Sequence, residues 1–144
     1  MYFDSAYIAK VYIAEPDSMA VRELVATAET RVSSFWAITE VVCVFQRRHR
    51  EGIFDAEACA DMTSTFLKHV DEGIWRLTPV TSPLLRRTAT MIAGLPPTVF
   101  IRAGDALHLA TAATVGETEV WTNDRHLLAA APYFGLKGRT VNPV

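Results

Sequence analysis

The 144-residue chain reads as an α/β fold, with a central, mainly parallel five-stranded sheet and helices on both faces. Three observations predict it. Short apolar runs alternate with longer stretches of helical periodicity from one end to the other. Proline, glycine and Asp-Ser punctuation falls between them. Half of the residues are apolar and 21% are charged, at a length that suits one domain, residues 1–144, with a real core.

The elements follow in order. Tyr2-Phe3 is a short apolar strand ending at Asp4. Ile8, Val11 and Tyr12 share a helical face, and Glu15-Pro16 breaks that helix. Asp17-Ser18 can cap a second helix carrying Met19, Val21, Leu24 and Val25. Thr30 to Ser33 is the second strand. The strongest helix runs from about Phe35 to Arg50, with Trp36, Ile38, Val41, Val42, Val44 and Phe45 as its core stripe and Gly52 as its stop.

Asp55 caps the next helix, to about Asp71, whose apolar set is Cys59, Met62, Phe66 and Val70. Ile74 to Leu77 is the third strand, closed by Thr78-Pro79. Ser82-Pro83 opens a helix ending at Gly94, and Leu95-Pro96-Pro97 is too short to be a domain linker. A helix over Asp105 to Val115, a strand over Glu119 to Thr122, a short helix over His126 to Ala131 and a strand over Arg139 to Val141 complete the pattern. No internal repeat or low-complexity tract interrupts it.

The net charge of −2 exerts no global pull on nucleic acid or anionic membrane, so any nucleic-acid contact must be local. Cys43 and Cys59 form no CxxC pair and read as buried small apolar residues within helices. The N-terminus lacks a basic, apolar signal pattern, and no run approaches the ~18 apolar residues of a membrane span. The expected setting is soluble and cytoplasmic, without a membrane.

Four of the 16 acids stand in apolar surroundings: Asp4, Glu40, Asp105 and Asp124. The other twelve fall at caps, loops or polar helix faces, where solvated charge belongs. Asp4, Asp105 and Asp124 follow strands or open helices, so helix capping explains each singly. Asp4 and Asp124 also end strands at the carboxyl edge, where open parallel sheets place ligands. Glu40 is harder to dismiss, because a helix turned to solvate it would expose its apolar stripe as well.

If the four converge, their mutual repulsion calls for a hard cation. Oxygen-only donors favour Mg²⁺ or Mn²⁺ over zinc. Such a site suits hydrolysis of a phosphodiester by an activated water.

On these residues the chain resembles the PIN-domain ribonucleases, specifically the VapC-type toxins of toxin–antitoxin pairs. The matching pieces are Tyr2-Phe3-Asp4-Ser5-Ala6 with Glu15-Pro16, then Ile38-Thr39-Glu40-Val41, then Arg102 through Ala112, and Thr122-Asn123-Asp124-Arg125-His126-Leu127. They cover essentially the whole chain in order.

The resemblance implies a PIN-like fold and an endoribonuclease that cleaves RNA. It implies Asp4, Glu40, Asp105 and Asp124 as the catalytic, Mg²⁺- or Mn²⁺-binding set, with Ser5, Thr122 and Asn123 supporting them by hydrogen bonds. It also implies a homodimer and a cognate VapB-type antitoxin bound across the toxin. Ala6 departs from a frequent small hydroxyl or amide residue, and Asp4 lies very near Met1. The alternatives are a catalytically silent PIN-like module that binds RNA or protein, and a phosphatase or DNA nuclease using the same acids.

Other candidates weigh less. His108 and His126 neighbour the acids and read as packed or hydrogen-bonded histidines, whereas His49 and His69 read as solvated. Arg47-Arg48-His49-Arg50 suits a helix C-terminus or a phosphate backbone. Arg102 and Arg125 lie nearer the acids in sequence and could orient phosphates instead. No GxGxxG, Walker loop or GxSxG motif is present, so nucleotide-cofactor and covalent-nucleophile chemistries lack support.

Overall fold

The computed structural model describes residues 1–142. Among them are five strands: β1 (Tyr2–Phe3), β2 (Val32–Ser34), β3 (Arg76–Thr78), β4 (Glu119–Trp121) and β5 (Lys137–Arg139). They form a single sheet in the order β3-β2-β1-β4-β5. Every pairing is parallel, so the expected α/β architecture holds and the sheet is fully parallel. The helices are α1 (Ser5–Tyr12), α2 (Ser18–Thr27), α3 (Trp36–Arg50), α4 (Ala56–Asp71), α5 (Ser82–Ala93), α6 (Ala103–Thr114) and α7 (Arg125–Ala130), with a 3₁₀ turn at Ala131–Phe134.

The pleat of β1 explains the two layers. Successive strand residues point to opposite faces, so Tyr2 enters a core with α6 and α7, and Phe3 enters one with α1, α3 and α4. Both side chains are fully buried. Helix α6 is buried over Ala106–Ala112, which accounts for its nearly unbroken apolar sequence.

Several expectations need correction. On α3 Ala37, Val41 and Phe45 are fully buried, one residue per turn, and Val42 and Val44 pack partly buried against the same core. Trp36 is 43% exposed, because the stripe that faces the core is narrower than the apolar content of the helix suggests. Cys43 lies on the exposed side, and only Cys59 is buried. Asp17 makes no capping bond to α2; its carboxylate pairs instead with Lys10 and Asn123.

The last strand begins two residues earlier than its apolar content indicates. Gly135, at φ 74°, ends the 3₁₀ turn and turns the chain into β5. Val141 lies beyond the strand, where its N–H donates to the Tyr7 hydroxyl at 2.9 Å. His69 is not simply solvated, since its Nδ1 lies 2.9 Å from the Tyr12 hydroxyl. His49 Nδ1 bonds to the carbonyl of Phe54 at 3.0 Å.

Candidate active site

Strand register brings the first acids together. Phe3 pairs with Trp121, so the next residues, Asp4 and Thr122, leave the sheet side by side at its carboxyl edge. The Asp4 N–H donates to the Trp121 carbonyl at 3.2 Å. The Thr122 hydroxyl donates to Asp4 Oδ2, and the Asp124 N–H donates to Thr122 Oγ1 at 2.9 Å. One threonine thus ties the loop after β4 to the carboxylate after β1.

Asp4 and Asp124 are also helix caps. Asp4 Oδ1 accepts from the Tyr7 N–H at 2.8 Å, and Asp124 Oδ1 accepts from His126 and Leu127 at 2.7 and 3.2 Å. Capping and site formation coexist, because each carboxylate retains further lone pairs. Asp105 does not cap: α6 begins at Ala103, with Arg102 as its N-cap residue, and Asp105 lies in the first turn.

Helix α3 delivers Glu40 to the same edge, against α1 and α6. Glu40 Oε2 accepts from the Ser5 hydroxyl at 2.6 Å and meets His108 Nε2 at 2.7 Å. An ionised carboxylate only accepts, so Nε2 must carry the proton. With the proton on Nε2, Nδ1 can accept from the Tyr2 hydroxyl at 2.9 Å. His108 is 2% exposed, and it links β1 to Glu40 through the core. The expectation of a hydrogen-bonded histidine therefore holds, but its partner is one of the four acids.

Asp4, Glu40, Asp105 and His108 line one pocket of about 350 Å³, with Arg47 and Arg102 in its wall. Trp36 lines both this pocket and an apolar one of about 370 Å³ between α5 and α6, which Gly104 also lines. Gly104 is required by close approach: a Cβ there would lie 2.7 Å from Glu40 Oε1 and 3.2 Å from Trp36 Nε1. Neither Gly104 nor Trp36 was singled out as a site residue by sequence reasoning. The glycine inside the helix-opening Arg102-Ala103-Gly104-Asp105 was the available signal.

The two inner acids have opposite electrostatics. Burial pushes the Asp4 carboxyl up from 3.8 to about 6, and the bonds from Thr122 and Tyr7 only partly offset it. Burial also acts on Glu40, but the His108 ring, Ser5 and Trp36 outweigh it and hold that carboxyl below its ordinary value. Of these two, Asp4 is therefore the acid whose negative charge is less compensated.

The outer acids share a guanidinium. Arg102 Nε donates to Asp105 Oδ2 at 2.9 Å, and its Nη2 donates to Asp124 Oδ2 at 2.7 Å. Asp124 thus reaches the pocket edge through Arg102. Among the described residues, no three His, Cys, Asp or Glu side chains are grouped closely enough to chelate a metal.

The three residues expected to support the acids divide. Ser5 and Thr122 bond to Glu40 and Asp4. Asn123 turns the other way, accepting from Tyr7 at 2.8 Å and from Thr140 at 2.6 Å and donating to Asp17. Parallel strand geometry explains it, since successive residues leaving β4 alternate in direction. Within the basic run, Arg48 pairs with Glu15 and Glu51, so Arg47 is the member at the pocket.

Comparison with known proteins agrees with the fold. The family model described as PIN domain matches residues 1–132. The chain belongs to the PIN-domain family. Ribonuclease VapC46 of Mycobacterium tuberculosis is 31% identical over 141 residues, covering 94% of this chain and 93% of the relative. The crystal structure of Mycobacterium tuberculosis VapC20, described as a Sarcin-Ricin loop cleaving toxin, superposes with a TM-score of 0.71 at 16% identity. It covers 90% of this PIN domain and 93% of the VapC20 chain, a likeness of fold.

In this PIN domain His108 should be as structural as it is functional. His108→Leu leaves the buried Tyr2 hydroxyl without its partner, at an expected cost of about 1–3 kcal/mol. Adding Tyr2→Phe should recover part of that loss. Urea unfolding of the four proteins in a double-mutant cycle measures the coupling. Strictly additive losses would show that the Tyr2–His108 bond contributes nothing.

Proposed function

We propose that the chain is a metal-dependent endoribonuclease, the toxin of a toxin–antitoxin pair, acting in the cytoplasm. Its acidic set is Asp4, Glu40, Asp105 and Asp124. The observation that carries this reading is Asp4, a buried carboxylate at the sheet edge that shares a pocket with Glu40 and Asp105 and, among the described residues, has no cation bonded to it. Isolated buried charge is costly, and here the cost falls where a parallel sheet presents its ligands. The VapC46 relative, named a ribonuclease, supports RNA as the substrate.

By its chemistry, all carboxylate oxygens, the donor set suits a hard divalent ion, Mg²⁺ or Mn²⁺, and the acids, of which Asp124 stands apart at Arg102, would have to draw together around it. Asp4, Glu40, Asp105 and Asp124 would hold it. Such an ion supplies charge neutralisation at the phosphate and a more acidic water. The chain's own residues do the rest. Ser5 and His108 fix the Glu40 carboxylate, Thr122 and the α1 N-terminus fix Asp4, and Arg47 offers a positive charge to an entering phosphate. The partners that go with this reading are RNA, a VapB-type antitoxin and a second copy of the chain.

Asp105→Asn tests the function. Asp105 is only partly buried and caps nothing, so the fold should survive. RNA cleavage should fall roughly a hundredfold or more, as when one charge-stabilising group is removed. Induction of the unsubstituted protein should arrest growth, and induction of the variant should not. Growth arrest by both proteins would favour the silent binding module, and cleavage of DNA in preference to RNA would change the substrate class.

A further inference from the structure

We propose that Arg102 is a displaceable internal counter-ion, which holds Asp105 and Asp124 while no divalent ion is bound and turns to an RNA phosphate once one is. The inference rests on the metal-site reading above. Its basis is a shared guanidinium. Arg102 reaches Asp105 Oδ2 at 2.9 Å and Asp124 Oδ2 at 2.7 Å, and those carboxylates come from different elements. Both oxygens point at Arg102, so the guanidinium occupies the position from which a cation would draw the two acids together.

The competition follows from charge and from lone pairs. A carboxylate oxygen directed at an N–H cannot at the same time place that lone pair on a metal. Two positive groups serving the same pair of acids also repel each other. Binding of an ion therefore weakens the hold on Arg102, and binding of Arg102 weakens the ion.

Arg102 is free to leave. Its side chain is 61% exposed, against 18% for Asp105 and 27% for Asp124. It stands at the N-cap position of α6, outside the buried part of the helix. Nothing in the core holds it, and exposed ion pairs are weak.

The released side chain has a use. It lines the pocket that contains Asp4, Glu40 and Asp105, and a guanidinium fork matches phosphate oxygens as well as it matches carboxylates. Arg125, the other nearby arginine, donates from Nε to its neighbour His126 at 3.4 Å. Arg102 is the arginine that bonds the acids. Its exchange keeps the metal-free pocket from facing RNA with uncompensated negative charge and recruits a phosphate ligand only after loading.

The test uses Mn²⁺ alone as probe, titrated by calorimetry into the full chain and its Arg102→Ala and Arg102→Lys variants. Arg102→Ala should bind Mn²⁺ about three- to tenfold more tightly, the range expected from removing weak exposed ion pairs. Arg102→Lys, which keeps the charge but not the fork, should fall between the two. In the same variants kcat/KM for RNA should drop, and its dependence on log salt should flatten by about one for Arg102→Ala.

Equal or weaker Mn²⁺ binding by Arg102→Ala overturns the exchange. An unchanged salt dependence overturns the hand-over to phosphate. If the unsubstituted chain binds no Mn²⁺, the metal reading itself fails, which is a different result from equal binding by all three proteins.

Discussion

Asp4→Asn will abolish RNA cleavage and, in metal-free buffer at neutral pH, will unfold at a higher temperature than the unsubstituted chain. The two effects have one cause. Burial raises the Asp4 carboxyl from 3.8 to about 6, so the folded state binds a proton more tightly than the unfolded state does. A group with a raised folded pKa favours folding only while it is protonated. Ionised Asp4 therefore opposes folding, an effect that sets in above pH 3.8 and is complete once the pH passes about 6.

The size follows from linkage. A rise from 3.8 to about 6 corresponds to about 3 kcal/mol at pH 7 as a ceiling. Asparagine keeps most of the local bonding: its oxygen can still accept from Tyr7, and its amide can donate to Thr122. The expected gain is about 1–3 kcal/mol, on the order of 5 °C in Tm for a chain of this size. Lowering the pH from 7 to 5 should narrow the gap between the two proteins, because protonation relieves Asp4 and leaves the substituted asparagine unchanged. Added Mn²⁺ should raise Tm in the unsubstituted chain more than in the variant. A metal-free variant less stable than its parent would remove the electrostatic account of Asp4.

Gly104→Ala is expected to separate activity from stability in the same way by a different route. The added Cβ would lie 2.7 Å from Glu40 Oε1, closer than real Cβ contacts, so something must move. What moves is the Glu40 carboxylate, whose bonds to Ser5 and His108 loosen at a cost of about 1 kcal/mol. Alanine gains about 0.5–1 kcal/mol over glycine in a helix, which offsets that cost. Tm should therefore be nearly unchanged.

Function should not be spared. Glu40 is held by Ser5 and His108 within hydrogen-bond distance, and a displacement of this kind at a catalytic group costs about a hundredfold in rate. Cleavage rates compared with circular dichroism melts check both halves. A variant with full activity would mean that the Glu40 position is not critical. A variant that melts much earlier would mean that the backbone, not Glu40, yields.

Much of this was legible in the residues. Alternating strand and helix periods implied the parallel sheet, and the four acids in apolar settings identified the pocket and its edge. Glu40 was found for a reason that holds only in part. The apolar stripe expected of its helix includes Trp36, whereas α3 fully buries Ala37, Val41 and Phe45 and leaves Trp36 at the pocket wall. The carboxylate is half-buried between core and solvent, a position that helical periodicity does not describe.

Short-range rules handled the caps. Asp4 and Asp124 cap helices because a carboxylate one residue before a helix meets free N–H groups whatever the rest of the chain does. The same rules failed at Asp17, where Lys10 and Asn123 offered stronger partners from elsewhere in the fold.

The sequence by itself determined the secondary structure, the layering and the set of acids, because these depend on local periodicity and on which residues tolerate burial. Only the tertiary structure decided what each acid is bonded to. Asp4 meets Thr122 because β1 and β4 are neighbours, Glu40 meets His108 because the fold brings these two side chains of α3 and α6 together, and Asp105 meets Asp124 through Arg102. Those partners lie 118, 68 and, for Arg102 and Asp124, 22 residues apart. A hydrogen bond depends on distance in space, and no local pattern in the chain encodes that.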